Sequence, residues 1–325
     1  MNCPPQDTNR EELQYLELIR EILRDGEPRA DRTGVGTLAV FARQLRFDLR
    51  GGVVPLITTR RIPFRGVLAE LLWFLRGSTN SKELESQGVN IWRGNSSREF
   101  LNARGLTHLA EGDIGPMYFH NVFHWGAKYA GCHADYRGIG LDQMSRLLEG
   151  LVREPHSRRH LLTTYDPAIV DDGALAPCHG IVIQFYVGAP EGDRGCTTTG
   201  NSCTSASTAI SRGRATLSCH MYQRSMDVGL GACWNFASYA MLVHIIAAKT
   251  GLTARELIIS TGDTHVYSNH VEQLAAQTTR APYPFPKIRF DPGTVRAKAW
   301  EELGLADFEL VGYRCHPAIQ MPMAV

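Results

Sequence analysis

Apolar residues recur at helical spacing in four stretches of the chain. Between about residue 8 and Gly26 they lie three or four positions apart, which predicts an amphipathic helix that begins with a capping box of Thr8 and Glu11. A second stretch is apolar on nearly every side, so we expect a buried helix with Glu70 inside it. This helix and two others are predicted over residues 66–76, 142–153 and 236–249.

Runs rich in β-branched and aromatic residues lie between these helices. They predict strands over residues 160–165, 180–187, 215–222 and 256–260, whereas the stretch between Gly26 and Gly66 has the composition of turns. Helices and strands interleave without a repeated βαβ unit, which indicates an α+β fold with one large twisted mixed β-sheet flanked by helices. Because no boundary is visible, we predict a single domain over residues 1–325.

One segment rich in glycine, serine and threonine interrupts this pattern. It covers about residues 188–213, between two of the predicted strands. Such a composition cannot bury enough apolar surface to order itself. The segment is therefore predicted to be a flexible insertion loop at the surface, with no chemistry of its own.

The charge balance limits what the protein can bind. Lys and Arg total 34 against 33 Asp and Glu, so no net field draws the chain to nucleic acid or to an anionic membrane. We expect small-molecule ligands and no general nucleic-acid binding. The N-terminus does not resemble a signal peptide, and no uncharged apolar run approaches the length of a membrane span. The expected location is the cytoplasm or the nucleus.

The cysteine and histidine spacings do not favour a metal site. Eight cysteines are scattered without a CxxC pair, which disfavours both zinc binding and a disulfide framework. His120 and His124 have the spacing of helical metal ligands, as do His156 and His160. The glutamate that would complete an HExxH motif is absent from both pairs, so we predict no metal.

Cys178 is the strongest candidate for a reactive residue. It lies where a polar loop meets an apolar strand, a position that can expose a thiol. A thiol reacts as the thiolate, and nearby cations such as Arg158, Arg159 and Arg224 would lower its pKa. The alternative from the residues alone is an inert buried thiol.

A second polar group follows the third predicted strand. Arg224, Ser225 and Asp227 precede flexible glycines that include Gly231, which favours recognition of an anion. Asn235 then opens an apolar helix. Its amide could both accept from and donate to the edge of a pyrimidine, or it could simply be the helix N-cap.

In their order and local spacing, these motifs resemble those of the thymidylate synthases. The resemblance covers almost the whole chain, and the ordered set of motifs is far more specific than any one of them. The matching segments are residues 31–34, 58–61, 70–74, 91–92, 115–118, 158–159, 177–179, 184–186, 223–231, 235–239, 262–269 and 323–325.

The resemblance implies a reaction and four catalytic residues. Cys178 would attack C6 of dUMP, and Asn235 would stabilise the enolate that forms. Glu70 would act through ordered water in the proton transfers, and Tyr118 belongs to the same catalytic set. The implied cosubstrate is 5,10-methylenetetrahydrofolate, which supplies both the carbon and the hydride, giving dTMP and dihydrofolate without a metal or flavin.

The resemblance also implies the binding residues. Arg32, Arg224 and Ser225 would hold the phosphate of dUMP together with Arg158 and Arg159 of a second subunit, which makes a homodimer obligatory, with the two sheets packed back to back. Three groups complete the list: His265 and Tyr267 on the deoxyribose, Trp92, Asp227 and Gly231 on the folate, and Arg60 toward the folate glutamate tail. Ala324 and Val325 would close over the cosubstrate and exclude water before hydride transfer.

The run after Tyr118 departs from the family pattern. Typical members carry glycine directly after this tyrosine, where the chain has Phe119, and the residues up to Trp125 differ as well. This difference leaves open a hydroxymethylase, in which water replaces the hydride. Two further alternatives are an inactive nucleotide-binding regulator and a cysteine hydrolase.

Overall fold

The computed structural model describes residues 9–190 and 213–323. Eight strands occur there, and six of them form one sheet. In chain order they are β1 Glu27–Arg29, β2 Thr37–Asp48, β3 Leu161–Leu162, β4 Val182–Gly188, β5 Thr216–Asp227, β6 Thr253–Tyr267, β7 Lys287–Arg289 and β8 Glu309–Val311. The large sheet has the order β1-β2-β6-β5-β4-β3, and β7 pairs with β8 separately.

Nine α-helices surround the sheet within the same residues. They are α1 Arg10–Asp25, α2 Phe64–Leu75, α3 Lys82–Glu85, α4 Arg98–Ala103, α5 Phe119–Phe123, α6 Gln143–Arg153, α7 Gly231–Thr250, α8 Val271–Gln277 and α9 Pro292–Ala297. The sheet is mixed because β5 and β6, which α7 connects, run parallel, whereas the other adjacent strands in the sheet pair antiparallel. The predicted α+β fold with a large mixed sheet is confirmed.

Helix α7 forms the centre of the core. It connects the parallel strands β5 and β6 and packs against both, as well as against α2 and α9. By length and composition alone it could span a membrane, but 89% of its most apolar window is buried inside the protein. It is therefore a core helix, and its neighbours set the position of every side chain it presents to the site.

Two predicted helix starts are wrong. The side chain of Asn9 accepts a hydrogen bond from the Glu12 N–H and so caps α1, whereas Thr8 lies outside the described residues. Helix α7 begins at Gly231, so Asn235 lies in its second turn and is not its N-cap. A helix interior has no need of an Asn cap, which leaves the amide of Asn235 free for another partner.

Strand β2 lies in the stretch predicted to consist of turns. Residues Phe41 and Arg43 pair with β6, but Ala42 between them has a φ of 58° and no partner. This kink breaks the alternation of buried and exposed side chains along the strand. The pattern by which a strand is found in a sequence is therefore interrupted in the middle of β2, where Phe41 and Ala42 are both exposed.

The strands on either side of the predicted insertion loop are neighbours. Gly188 at the end of β4 pairs with Thr216 at the start of β5 in an antiparallel register. Residues 191–212 between them lie outside the described residues, so the flexible loop remains a prediction. The far face of this sheet carries exposed apolar side chains from three strands, which include Leu161, Val182 and Tyr222.

Candidate active site

A cavity of about 280 Å³ opens between helix α7, helix α2 and the ends of β4 and β5. Residues far apart in the chain meet there, because α2, the start of β4 and the β5–α7 turn converge at this edge of the sheet. Its lining consists of Glu70, Ile91, Trp92, Asn95, Tyr118, Leu175, Cys178, His179, Gln223, Ser225, Asp227, Leu230, Gly231, Trp234, Asn235 and Met323. All four predicted catalytic residues are in this set.

The Cys178 thiol is held by Tyr118. The Tyr118 hydroxyl lies 3.3 Å from Cys178 Sγ and accepts a hydrogen bond from the Cys178 N–H at 3.3 Å. Burial raises the pKa of the thiol, while the Tyr118 hydroxyl and the charge of Arg224 lower it. Since the hydroxyl proton is free to point at sulfur, Tyr118 stabilises the thiolate once it forms.

Backbone strain fixes the position of Tyr118. Its φ is 51°, a left-handed conformation that a bulky residue rarely adopts. Its ring packs against His179 at a centroid distance of 4.5 Å and against Trp92 at 5.8 Å. The packing holds the strained backbone in place, as is common at functional sites.

Glu70 is a buried carboxylate whose two oxygens each accept one indole N–H. Trp92 Nε1 donates to Oε1 at 2.8 Å, and Trp234 Nε1 donates to Oε2 at 2.5 Å. Burial raises the Glu70 pKa from 4.5 to about 7, although both indole hydrogen bonds lower it. A carboxyl group with this pKa can give and take a proton at neutral pH.

Strand β5 supplies the anion-binding candidates at one end of the cavity. Ser225 and Asp227 line it, and the Ser225 N–H donates to the Cys178 carbonyl at 3.3 Å, which joins the two predicted motifs. Arg224 lies on the opposite face of β5, where its Nε donates to the Pro177 carbonyl at 3.2 Å. This contact places the cation beside the loop that carries the thiol.

Asp227 also shapes the start of α7. Its Oδ1 accepts from the N–H groups of Gly229 at 2.8 Å and Leu230 at 3.2 Å. One oxygen is thus occupied by the turn, and Gly231 follows at the cavity wall. The turn is ordered before any ligand binds.

His265 and Tyr267 lie beside this turn but outside the cavity lining. His265 pairs with Asp227 across the sheet, and its Nδ1 is 2.7 Å from Asp263 Oδ1. Burial raises the pKa of Tyr267, and the nearby charge of Arg32 lowers it. Arg32, Tyr267 and His265 therefore form a group at the rim of the site.

Arg158 and Arg159 do not reach this chain's cavity. Both are exposed, just before the edge strand β3, and neither forms an ion pair within residues 9–190 and 213–323. Their role at a second subunit's phosphate remains a prediction. Ala324 and Val325 fall outside the described residues, although the preceding Met323 lines the cavity.

The placement of Arg60 does not fit its predicted contact with the folate tail. The side chain is buried, one guanidinium nitrogen donates to the Gly229 carbonyl, and the same nitrogen lies 3.3 Å from Cys233 Sγ. A cation enclosed in this way cannot reach a solvent-exposed carboxylate. Instead, Arg60 supports the turn between Asp227 and Gly231 from below.

The sequence did not point to Trp234 as a site residue. It donates the shorter of the two hydrogen bonds to Glu70, from the first turn of α7. The only available signal is its position directly before Asn235, which opens a predicted apolar helix. Because the sequence predicts that this helix starts at residue 236, the predicted helix does not include Trp234.

None of residues 119–125, which depart from the family pattern, lines the cavity, whereas the preceding Tyr118 does. Phe119 stacks on Phe74 at 5.6 Å, and Asn121 Nδ2 donates to the Thr164 carbonyl at 3.0 Å. His120 is buried, with neither ring nitrogen hydrogen-bonded. The unusual run thus forms the layer behind the cavity wall.

No group of three or more His, Cys, Asp or Glu among residues 9–190 and 213–323 is arranged to hold a metal ion. His120 and His124 lie at the two ends of α5, with ring centroids 5.3 Å apart. His156 and His160 follow the end of α6 and are not helical, so their spacing does not place them on one face.

Known proteins resemble the chain over nearly its whole length. The family model described as thymidylate synthase matches residues 13–325. A thymidylate synthase of Agaricus bisporus is 46% identical over 97% of this chain and 99% of its own length. The thymidylate synthase of Saccharomyces cerevisiae is 44% identical over 98% of both chains, and that of human herpesvirus 8 is 45% identical over 98% of this chain and 86% of its own.

Proposed function

We propose, from the premise that this chain belongs to the thymidylate synthase family, that Cys178, Glu70 and Asn235 carry out its reaction. The chain's function is thymidylate synthesis: as a methyltransferase, it makes dTMP from dUMP. The family uses a folate cosubstrate. For this chain we assign 5,10-methylenetetrahydrofolate, which supplies the one-carbon unit and the hydride. The observation that carries the assignment is that these three residues and Tyr118 line one cavity.

In the first step the Cys178 thiolate adds to C6 of the uracil ring. The electron pair of the C5–C6 bond moves toward O4, and the amide of Asn235 donates to the oxygen that gains charge. Asn235 is buried in the second turn of α7, so its donor is oriented before substrate arrives. Because burial disfavours the free thiolate, sulfur ionises only when Tyr118 and Arg224 compensate for that cost.

Glu70 is assigned the proton transfers at C5 and on the folate nitrogen. Its pKa of about 7 makes both protonation states available at neutral pH. The two indole donors hold the carboxylate at a fixed position and also form part of the apolar wall. Ile91, Leu175 and Leu230 continue this wall, which suits a flat heteroaromatic ring such as that of the folate.

Binding of the nucleotide phosphate is assigned to Arg224 and Ser225, with Arg32 at the rim. His265 and Tyr267 would contact the deoxyribose, while Trp92, Asp227 and Gly231 would contact the folate. Trp92, Asp227 and Gly231 line the cavity, and His265 pairs with Asp227 on the neighbouring strand. Ala324 and Val325 are proposed to cover the bound folate.

We also propose a homodimer formed through the exposed face of the sheet. Leu161, Val182, Tyr186 and Tyr222 are each more than a third exposed on neighbouring strands, and Val182 pairs directly with Tyr222. A row of apolar side chains at this density is unusual on a free surface. Arg158 and Arg159 border the same face through β3, in a position from which they could cross to a partner's phosphate site.

Complementation between two inactive subunits tests whether each active site takes Arg158 and Arg159 from the partner subunit. Cys178→Ser and a double Arg158→Ala, Arg159→Ala variant should each be inactive alone. After the two are mixed, denatured and refolded together, heterodimers should recover about a quarter of the wild-type activity, because half of the chains pair with the other variant and one of the two sites is then intact. Recovery of no activity from well-folded heterodimers would contradict the crossing arginines.

We propose the cytoplasm, or the nucleus, as the location. The cysteines at positions 132, 178, 219, 233 and 315 are all unpaired, and a reducing compartment keeps such thiols free. Fluorescence microscopy of a tagged full-length chain would test this assignment.

The decisive assay combines the purified protein with dUMP and methylenetetrahydrofolate. Mass spectrometry identifies the nucleotide and absorbance follows dihydrofolate, with Cys178→Ser as the control. Equal amounts of dTMP and dihydrofolate, absent in the variant, are expected. Hydroxymethyl-dUMP with tetrahydrofolate would indicate the hydroxymethylase instead, and tight dUMP binding without product would indicate the regulator.

The cysteine hydrolase has no support in the geometry. Such an enzyme pairs its thiol with a histidine base. Here the thiol contacts Tyr118, whereas Nδ1 of the adjacent His179 is hydrogen-bonded to Tyr239.

A further inference from the structure

Tyr239 approaches the site from inside helix α7. Its hydroxyl lies 2.9 Å from His179 Nδ1, and the tyrosine is only 3% exposed. A Cβ at Gly180 would come within 2.3 Å of that hydroxyl, and the Gly180 φ of 66° also favours glycine. The backbone after His179 therefore leaves room for this contact.

The direction of the hydrogen bond follows from the surroundings of Tyr239. Within residues 9–190 and 213–323 its hydroxyl has no partner other than His179 Nδ1. If Nδ1 carried the proton and donated it, the hydroxyl hydrogen would be buried without an acceptor, which costs more than an unused lone pair. Tyr239 is accordingly the donor, and Nδ1 is the acceptor.

The opposite edge of the imidazole is available to a ligand. His179 lines the cavity, whereas Tyr239 does not. Nε2 has no hydrogen-bond partner among the described residues. It is also not one of the buried atoms without a partner there, so it is accessible from the cavity. The ring cannot easily turn, because it packs on Tyr118 at 4.5 Å and contacts Tyr239 edge-on at 5.6 Å.

We propose that Tyr239 is a positioning residue that holds His179 in the tautomer with its proton on Nε2, so that His179 presents a fixed hydrogen-bond donor to the cavity. Burial lowers the His179 pKa to about 3, so the ring is neutral and remains a single donor near neutral pH. The natural acceptor is the pyrimidine oxygen that gains charge after Cys178 attacks, reached directly or through one water. That last identification rests on the proposed function, but the tautomer does not.

The tautomer can be measured without any turnover. In protein labelled with [15N]histidine, long-range 15N–1H correlations distinguish a protonated from an unprotonated ring nitrogen, and His179→Gln identifies the signal. We expect Nδ1 of His179 to be unprotonated in the wild-type protein. A protonated Nδ1 would overturn the proposal, even if Tyr239 variants failed to fold.

Tyr239→Phe tests the positioning itself. We expect the Nδ1 resonance to shift and kcat to fall roughly tenfold, the order of one neutral hydrogen bond, while KM for dUMP changes little. The matched control is Tyr15→Phe, which removes a buried hydroxyl bonded to the Val228 carbonyl at 3.0 Å and should leave the His179 resonances unchanged. A folded Tyr239→Phe protein with unaltered His179 resonances and kcat would refute the proposal. A wild-type protein without dTMP formation would refute the proposed function alone.

Discussion

Replacing Glu70 with glutamine should change how stability depends on pH. The pKa of Glu70 is raised from 4.5 to about 7 in the folded protein, because burial penalises the charged carboxylate. Between these two values the folded state holds a proton that the unfolded state has lost. Stability therefore falls as pH rises from 4.5 to about 7, and it stays lower above that range.

The magnitude follows from the difference between the two pKa values. At 1.36 kcal/mol per pKa unit, ionisation of Glu70 lowers the free energy of unfolding by about 3 kcal/mol per protomer. Roughly 2 to 3 kcal/mol of this loss develops between pH 5 and pH 8. Glu70→Gln removes this dependence but also leaves one of the two indole donors facing an NH₂ group. The variant should thus be less stable than wild type at pH 5. The difference between their free energies of unfolding, the stability gap, should narrow by about 2 to 3 kcal/mol by pH 8, because only the wild type loses stability.

Urea unfolding at fixed protein concentration, from pH 5 to pH 8, measures the gap at each pH. Other titrating groups contribute equally to both proteins and cancel in the difference. Glu309→Gln, which removes an exposed carboxylate on β8, should show no such narrowing. A gap between wild type and Glu70→Gln that stays constant within about 1 kcal/mol would refute a raised pKa for Glu70.

Three further substitutions test individual contacts. His120→Phe should raise the free energy of unfolding by about 1 to 3 kcal/mol, because it removes two buried nitrogens that have no partners, as denaturant titration would show. Arg60→Met should raise the KM for folate by about tenfold or more, because the hydrogen bond to the Gly229 carbonyl is lost. The increase should be the same for monoglutamated and polyglutamated folate. A larger increase for the polyglutamated folate would instead favour a direct contact between Arg60 and the glutamate tail. Gly180→Ala should destabilise by about 2 kcal/mol or more, and the loss should be smaller in a Tyr239→Phe background, since the crowding hydroxyl is then absent.

The elements found from periodicity are those in which one face is buried throughout. Helix α6 follows its predicted bounds because its apolar residues recur regularly and Asp142 caps it, accepting from the Ser145 N–H at 2.8 Å. Strand β2 was missed because Ala42 kinks it, and the start of α7 was missed because Leu230 offers no side-chain cap. Periodicity therefore locates regular elements and fails where the backbone departs from regularity.

The pairing of site residues could not be deduced from local pattern. That Glu70 and Cys178 belong to one site followed from the resemblance alone, since α2 and the start of β4 are about a hundred residues apart in the chain. The two indoles on Glu70 come from separate segments, and only the packing of α2 against α7 brings Trp234 to it. Arg60 shows the opposite case, because a charged residue in a matching motif is predicted to contact the ligand, whereas its side chain is buried against Gly229 and Cys233.

The location of residues 119–125, which depart from the family pattern, favours reduction of the methylene by hydride over its reaction with water. A hydroxymethylase needs water at the exocyclic methylene, so a change of outcome requires a change in what the cavity exposes. Phe119 stacks on Phe74, and His120 contacts Tyr136 and Tyr129. None of these residues lines the cavity. The residues that line the cavity, among them Trp92 and Asn235, match the family, so we expect residues 119–125 to affect stability more than chemistry.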